Sequence, residues 1–99
     1  MEEILANSRK YSEKLNGKLN TAGKLIKAYR TKKNISRQIL SDKLMIMGID
    51  ISPQSIYELE LGNRGILDFE LCAIAKCLSV SSDELLKDFI DYLNKNIYE

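Results

Sequence analysis

The run Ser52-Pro53-Gln54-Ser55-Ile56-Tyr57-Glu58-Leu59-Glu60-Leu61-Gly62 holds the chain's most suggestive chemistry. Gln54 offers an amide that donates and accepts side by side. Ser55 adds a hydroxyl that does either, Tyr57 a ring with a phenol, and Glu58 a carboxylate that only accepts. The same residues read as a short helix with clear ends. Ser52 caps its first turn, Pro53 fills the first helical position, where a missing N–H costs nothing, and Gly62 suits the left-handed residue that stops it. Between those ends only Ile56 and Leu59 have to point inward. The outward row is dressed to hydrogen-bond a docked surface rather than only to hold water.

Little else in the chain could do chemistry. It has no His, no Ser or Cys paired with a base, and no glycine-rich phosphate loop, so neither an enzyme nor a cofactor is expected. Cys72 and Cys77 share one predicted helix, turned roughly 140° from each other by their spacing. With no His or further Cys to complete a metal site, they read as buried free thiols rather than a redox pair. Ninety-nine residues support one domain with one modest core. No apolar run approaches the ~18–20 residues of a membrane span. Met1-Glu2-Glu3-Ile4 lacks the basic-then-apolar opening of a signal peptide. A cytoplasmic protein without a membrane partner is expected.

The elements that must position the row are helices, with no strand pattern among them. Thr21 to Lys33 forms the first, with Ala22, Leu25, Ile26 and Tyr29 inward and Asn34 at its end. Ser36 caps the second, whose buried stripe is Ile39, Leu40, Leu44 and Met47, and Gly48 stops it. Ile49-Asp50-Ile51 is an extended connector to Ser52. After the polar turn Asn63-Arg64-Gly65, Asp68 caps a fourth helix that turns Leu71, Ile74, Ala75 and Leu78 inward. Ser81 and Glu84 form a capping box that opens a fifth, running to about Asn96. Ahead of these, residues 2–16 carry a thin apolar stripe of Ile4, Leu5, Tyr11 and Leu15. That segment is either a docked extra helix or a loosely held arm bearing Arg9, Lys10 and Lys14, and Asn16-Gly17 breaks it.

A net charge of +1 conceals segregation. Residues 18–45 hold eight basic side chains (Lys18, Lys24, Lys27, Arg30, Lys32, Lys33, Arg37, Lys43) against Asp42 alone, a balance of +7. Residues 46–75 set Arg64 against Asp50, Glu58, Glu60, Asp68 and Glu70. The basic block suits a polyanion, because neutralising phosphates drives much of nucleic-acid affinity; the plainer reading is a solvated helix face.

These residues together resemble a known family. Arg30, then Ser36, Leu40 and Leu44, then Ser52-x-x-Ser55-Ile56-x-x-Leu59-Glu60-x-Gly62, then Leu71-x-x-Ile74-Ala75-x-x-Leu78-x-Val80-Ser81-x-Asp83-x-Leu85-Leu86, is similar to the Cro/C1-repressor-type (XRE-like) helix-turn-helix domain. The likeness implies an all-α fold, a five-helix lambda-repressor-like bundle over residues 21–87. Residues 1–20 would be an N-terminal helical extension, and residues 88–99 the continuation of a lengthened last helix.

The resemblance implies that the Ser36–Leu44 helix crosses a DNA backbone while the Ser52–Leu61 helix enters the major groove. The base-contacting residues would be Gln54, Ser55, Tyr57 and Glu58. Gln54 can bond adenine through both N6 and N7, and Ser55 suits either base edge. Tyr57 can meet a thymine methyl or a phosphate, and Glu58 can accept from the cytosine amino group. Arg37, Asn63 and Arg64 match positions where the family touches phosphates, and Ser36 and Lys43 are placed with them; such contacts set register and carry little sequence information. The family commonly pairs the Glu at position 60 with an Arg of the first helix, which implies a structural ion pair between Arg30 and Glu60.

The chain departs from the family pattern in its link between the second and third helices. Met45 to Ile49 exceeds the usual tight turn by about five residues, which either lengthens the second helix by a turn or changes how the third is presented. No Lys or Arg lies between residues 44 and 63. In the last helix Leu86, Ile90, Leu93 and Ile97 form one stripe and Leu85, Phe89 and Tyr92 another. Either the core absorbs both, or the surplus, with Leu86, Phe89, Ile90, Leu93 and Ile97, forms a homodimer seam. The leading expectation is a dimeric transcriptional regulator, a repressor, on double-stranded DNA. The alternative keeps the fold and binds a regulatory protein through Met45, Ile46, Met47 and the Glu58 face, as an anti-repressor or antitoxin-like adaptor would.

Overall fold

The computed structural model describes residue 11 and residues 13–96. The sequence expectations for Ile4, Leu5, Arg9, Lys10 and Ile97 fall outside that range. Residue 11 and residues 13–15 are helical. Six helices follow: α1 (Gly23–Lys32), α2 (Arg37–Ile46), α3 (Pro53–Leu61), α4 (Asp68–Leu78), α5 (Ser82–Leu85) and α6 (Lys87–Asn96). There is no strand among the described residues.

Most helix ends follow from residues within one turn. Asn34 takes φ 57° after α1. Ser36, Ser52 and Ser81 each accept the N–H three residues on, at 3.0 to 3.1 Å. Glu84 completes the box at Ser81 by accepting its backbone N–H at 3.0 Å. Two starts differ from expectation. α1 opens at Gly23 rather than Thr21, because the Asn20 side-chain Oδ1 accepts from Ala22 N (3.1 Å) and Gly23 N (2.7 Å). α4 has Leu67, not Asp68, at its cap position. Leu67 has no side-chain acceptor to offer the first turn, and only the returning half of a capping box is made, its own N–H donating to Glu70 at 3.0 Å.

The core is a single cluster. Ile26, Leu40, Leu44, Ile56, Leu59, Ile74, Leu78 and Leu85 are fully buried, with Ile51 beside them. α3 lies against α1 and α2, α4 against α2, α1 and α5. Fully burying such side chains stabilises the fold by about 1.5–3 kcal/mol each.

Three expectations about burial are corrected. Ile39 and Met47 are exposed, at 44 % and 46 %. The Ser41 hydroxyl donates to Ile51 O at 2.7 Å, on the buried side of α2 with Leu40 and Leu44, while Ile39 is turned roughly 160° from Ser41 around the helix, outside the core cluster. Cys72 is exposed, and only Cys77 is buried, where burial raises its thiol pKa. The last helix is interrupted: Leu86 closes α5 with its N–H shared between Ser82 O and Asp83 O, and α6 begins one residue later. The long link after α2 is resolved in favour of helix, since α2 runs on to Ile46.

Candidate nucleic-acid interface

α3 is held from three sides. Ile56 and Leu59 are buried in the core. Gly62 ends the helix at φ 83°, a conformation that costs a side-chain-bearing residue free energy. Its carbonyl accepts Leu19 N at 2.8 Å, and the Lys18 stem lies against its Cα. The Asn20 amide donates to Leu59 O (2.9 Å) and Arg64 O (2.8 Å) while its oxygen caps α1. One side chain thus ties the start of α1 to the end of α3. Gly23 lets those helices touch, since a methyl there would overlap the Leu59 carbonyl oxygen.

Glu60 fixes the rotation of α3. Its carboxylate accepts from Arg30 Nε (2.6 Å), Arg30 Nη2 (3.1 Å) and Arg37 Nε (3.0 Å). The Glu60 and Arg30 side chains are only 1 % and 8 % exposed. Arg30 Nη1 donates to Ile35 O at 2.9 Å, so the guanidinium is partnered on both edges. The group carries two positive charges against one negative. The surplus sits on Arg37, whose side chain is one-third exposed and stacks over the Tyr57 ring at 4.9 Å.

The outward row lies beside that surplus charge. Gln54 and Tyr57 are exposed, and Ser55 and Glu58 half-buried. Ser52 Oγ and Ser55 Oγ share a hydrogen bond at 3.1 Å, and the Ser55 hydroxyl keeps further donor or acceptor capacity for an outside partner. Glu58 accepts from Gln54 Nε2 (3.0 Å) with one oxygen and from Asn63 Nδ2 (3.2 Å) with the other.

The five phosphate candidates divide. Ser36, Arg37 and Asn63 border the row: Ser36 and Arg37 stand at the amino end of α2, and Asn63 just past α3. Arg64 follows Asn63, but Nη1 and Nη2 both bond the Glu70 carboxylate at 3.0 Å. Those hydrogen bonds hold the Glu70 carboxyl below the usual carboxylate range. Lys43 does not join the group. It is turned roughly 120° from Arg37 around α2 and lines a depression with Ile46, Met47, Lys76, Cys77 and Ser79. Of the basic block, Lys33 is used internally, its ammonium on Leu78 O and Ser79 O at the end of α4. Lys18, Lys24, Lys27 and Lys32 are exposed.

The seam candidates Leu86, Phe89, Ile90 and Leu93 are half-buried. Phe89 has Tyr11 against it at 4.9 Å, and Tyr11 also meets Tyr92 at 4.6 Å, so part of the second stripe is covered from the amino-terminal side.

The helix-turn-helix family model HTH_3 matches residues 26–85, from the core of α1 to the end of α5. The chain belongs to the Cro/C1-type helix-turn-helix family. Its members are DNA-binding regulators rather than enzymes. No curated relative and no solved structure matches the chain. The match spans α2 and α3, and so contains the outward row. No helix among the described residues is long and apolar enough to cross a membrane.

Asn20 and Glu70 were missed by sequence reasoning. Asn three residues ahead of the first helical Gly is a local capping signal that could have found the first. The contact of Glu70 with Arg64 spans an irregular turn, and no fixed spacing announces it.

Proposed function

We propose that the protein is a sequence-specific transcriptional regulator of repressor type, which docks α3 in the major groove. The observation that carries this reading is the Gln54–Ser55 pair, Gln54 exposed and Ser55 half-buried, beside the Arg37 guanidinium, which shares Glu60 with Arg30 and so leaves the group a net positive charge. Gln54 and Ser55 read base edges, Tyr57 and Arg37 meet the adjacent strand, and Ser36, Asn63 and Arg64 set the register. With no basic residue on α3 itself, two copies are needed for useful affinity. The half-buried stripe Leu86, Ile90 and Leu93 on α5–α6 supplies the pairing surface, which would set half-sites about 34–36 Å apart. Selection of bound duplexes from a random library tests the whole reading. The expected product is a two-fold-related site whose half-sites repeat at one helical turn; recovery of random sequence would overturn it.

A second reading is favoured by Met45, Ile46 and Met47, which are 53 %, 87 % and 46 % exposed at the end of α2. Beside them Met47, Ile49, Phe69, Cys72, Ala73 and Val80 line an open apolar groove. A protein-docking adaptor would use that surface and leave DNA alone. A gel shift on random duplex at low and moderate salt separates the two, because a regulator of this fold retains non-specific binding at low salt.

A further inference from the structure

We infer that Glu58 is a positioning residue for base reading, whose carboxylate fixes the amide of Gln54 with one oxygen and Asn63 with the other. This rests on the reading of α3 as the DNA-contacting helix. It departs from the expectation that Glu58 itself recognises cytosine.

The argument starts from donor and acceptor counting. A carboxylate can only accept, so whichever end of the Gln54 amide faces Glu58 must be its NH2. The structure has this arrangement, Nε2 to Glu58 Oε1 at 3.0 Å. The constraint leaves Gln54 with its carbonyl oxygen and one N–H for a partner, the pair that adenine N6 and N7 require. Without Glu58 the amide could present either end, and the side chain would sample several rotamers. Asn63 is held in the same way by the second oxygen, at 3.2 Å, so the carboxylate spans from the first turn of α3 to the residue beyond Gly62. Both oxygens are directed along the helix surface to these two amides.

A negative charge on a DNA-facing helix opposes phosphate, so Glu58 weakens binding to every sequence alike. Its gain must therefore lie in discrimination. Restricting one long side chain before binding is worth a factor of roughly 3–10 in affinity for the correct base.

The test combines Glu58→Ala, Gln54→Ala and the double variant, with affinities measured for the selected site and for each single-base change in it. Glu58→Ala is expected to lower the preference roughly 3–10-fold at the base pair that Gln54→Ala also relaxes, and to leave other positions unchanged. In the Gln54→Ala background it should add nothing at that position, while affinity for random DNA rises. Relaxation at a different base pair, or an equal loss on all sequences, overturns the inference and leaves the α3 reading standing. Failure of the unaltered protein to select any site overturns both. A readout without DNA is the side-chain NH2 signals of Gln54 and Asn63. Both are expected to be ordered in the unaltered protein and mobile in Glu58→Ala; mobility in both proteins refutes the positioning role.

Discussion

Replacing Glu60 by Gln should unfold this protein at a markedly lower temperature. The variant keeps the shape of the side chain and removes its charge, while Arg30 stays nearly buried at 8 % exposure. Gln has one acceptor oxygen where three N–H groups now converge at 2.6, 3.1 and 3.0 Å. Its NH2 must then face at least one guanidinium N–H. A buried ion left without its partner typically costs about 3–5 kcal/mol. For a domain of this size each 1 kcal/mol lowers Tm by roughly 4–8 °C, so the lower bound predicts a fall of about 12–24 °C. Arg37 adds little, because its side chain is one-third exposed and can turn to water. Circular dichroism melts and urea titrations at neutral pH measure the loss, with an unchanged m-value marking a true change in stability. A Tm within about 3 °C of the unaltered protein would refute the reasoning. Replacing both members, Arg30→Met with Glu60→Leu, should recover most of the loss, since neither charge is then stranded.

Asn20→Ala removes four hydrogen bonds at the α1–α3 joint, and a loss of about 2–4 kcal/mol is expected in urea titration from the cap and the two stranded carbonyls. Asn20→Asp keeps the cap but sets a carboxylate against those carbonyls, so it should not rescue. In DNA titrations over a salt series, Arg37→Ala should weaken all sequences alike and shrink the log–log slope by roughly 0.9 for each half-site occupied. Gln54→Ala should instead leave the slope unchanged and cost about 1–3 kcal/mol at one base pair only. The carboxyl of Glu70 is held below its ordinary range by Arg64, so the unfolded chain binds the proton more tightly than the folded one. Its stabilisation is complete above the ordinary glutamate range and is lost as pH falls through the depressed value; in acid titrations of stability Glu70→Gln should flatten that limb.

What the sequence made legible was whatever a helix decides within one turn of itself. Ser36, Ser52, Ser81, Asn34 and Gly62 announce their ends because a cap and the N–H it satisfies lie three or four residues apart. The docking of one helix on another is not written that way. Arg30 and Glu60 stand thirty residues apart, and only the family likeness names them as a pair. Asn20 reaches residues 39 and 44 positions away; its local half, the cap of α1, lies within three residues but was passed over for a start at Thr21, and its long-range half has no spacing to announce it. Ile39 looked as apolar as Leu40, and only the docking of α2 on its neighbours shows that the core takes the Leu40, Ser41 and Leu44 side and leaves Ile39 out. In the outward row, residue types were readable, but the hold of Glu58 on Gln54 and Asn63 required the rotamers.

The charge arrangement constrains how such a protein could hold DNA. Arg30 is consumed by Glu60, Lys33 by the end of α4, and Lys43 faces away from the row. The guanidinium groups bordering α3 are then Arg37, which gives one N–H to Glu60, and Arg64, which gives two to Glu70. These two contacts alone would give a monomer a slope of about −1.8, and each of the exposed Lys18, Lys24, Lys27 and Lys32 that met a phosphate would add about −0.9. A pair of copies on two half-sites doubles the two-contact slope to about −3.6, and linkage makes the second contact intramolecular. Affinity would therefore depend steeply on whether the copies associate, and weakening the α5–α6 stripe should lower affinity more than removing any one phosphate contact. Leu93→Lys tests this without touching the buried core, since Leu93 is only half-buried. It should halve the salt slope and leave the melting temperature of the domain nearly unchanged. An unaltered slope in that variant would mean that the copies meet elsewhere.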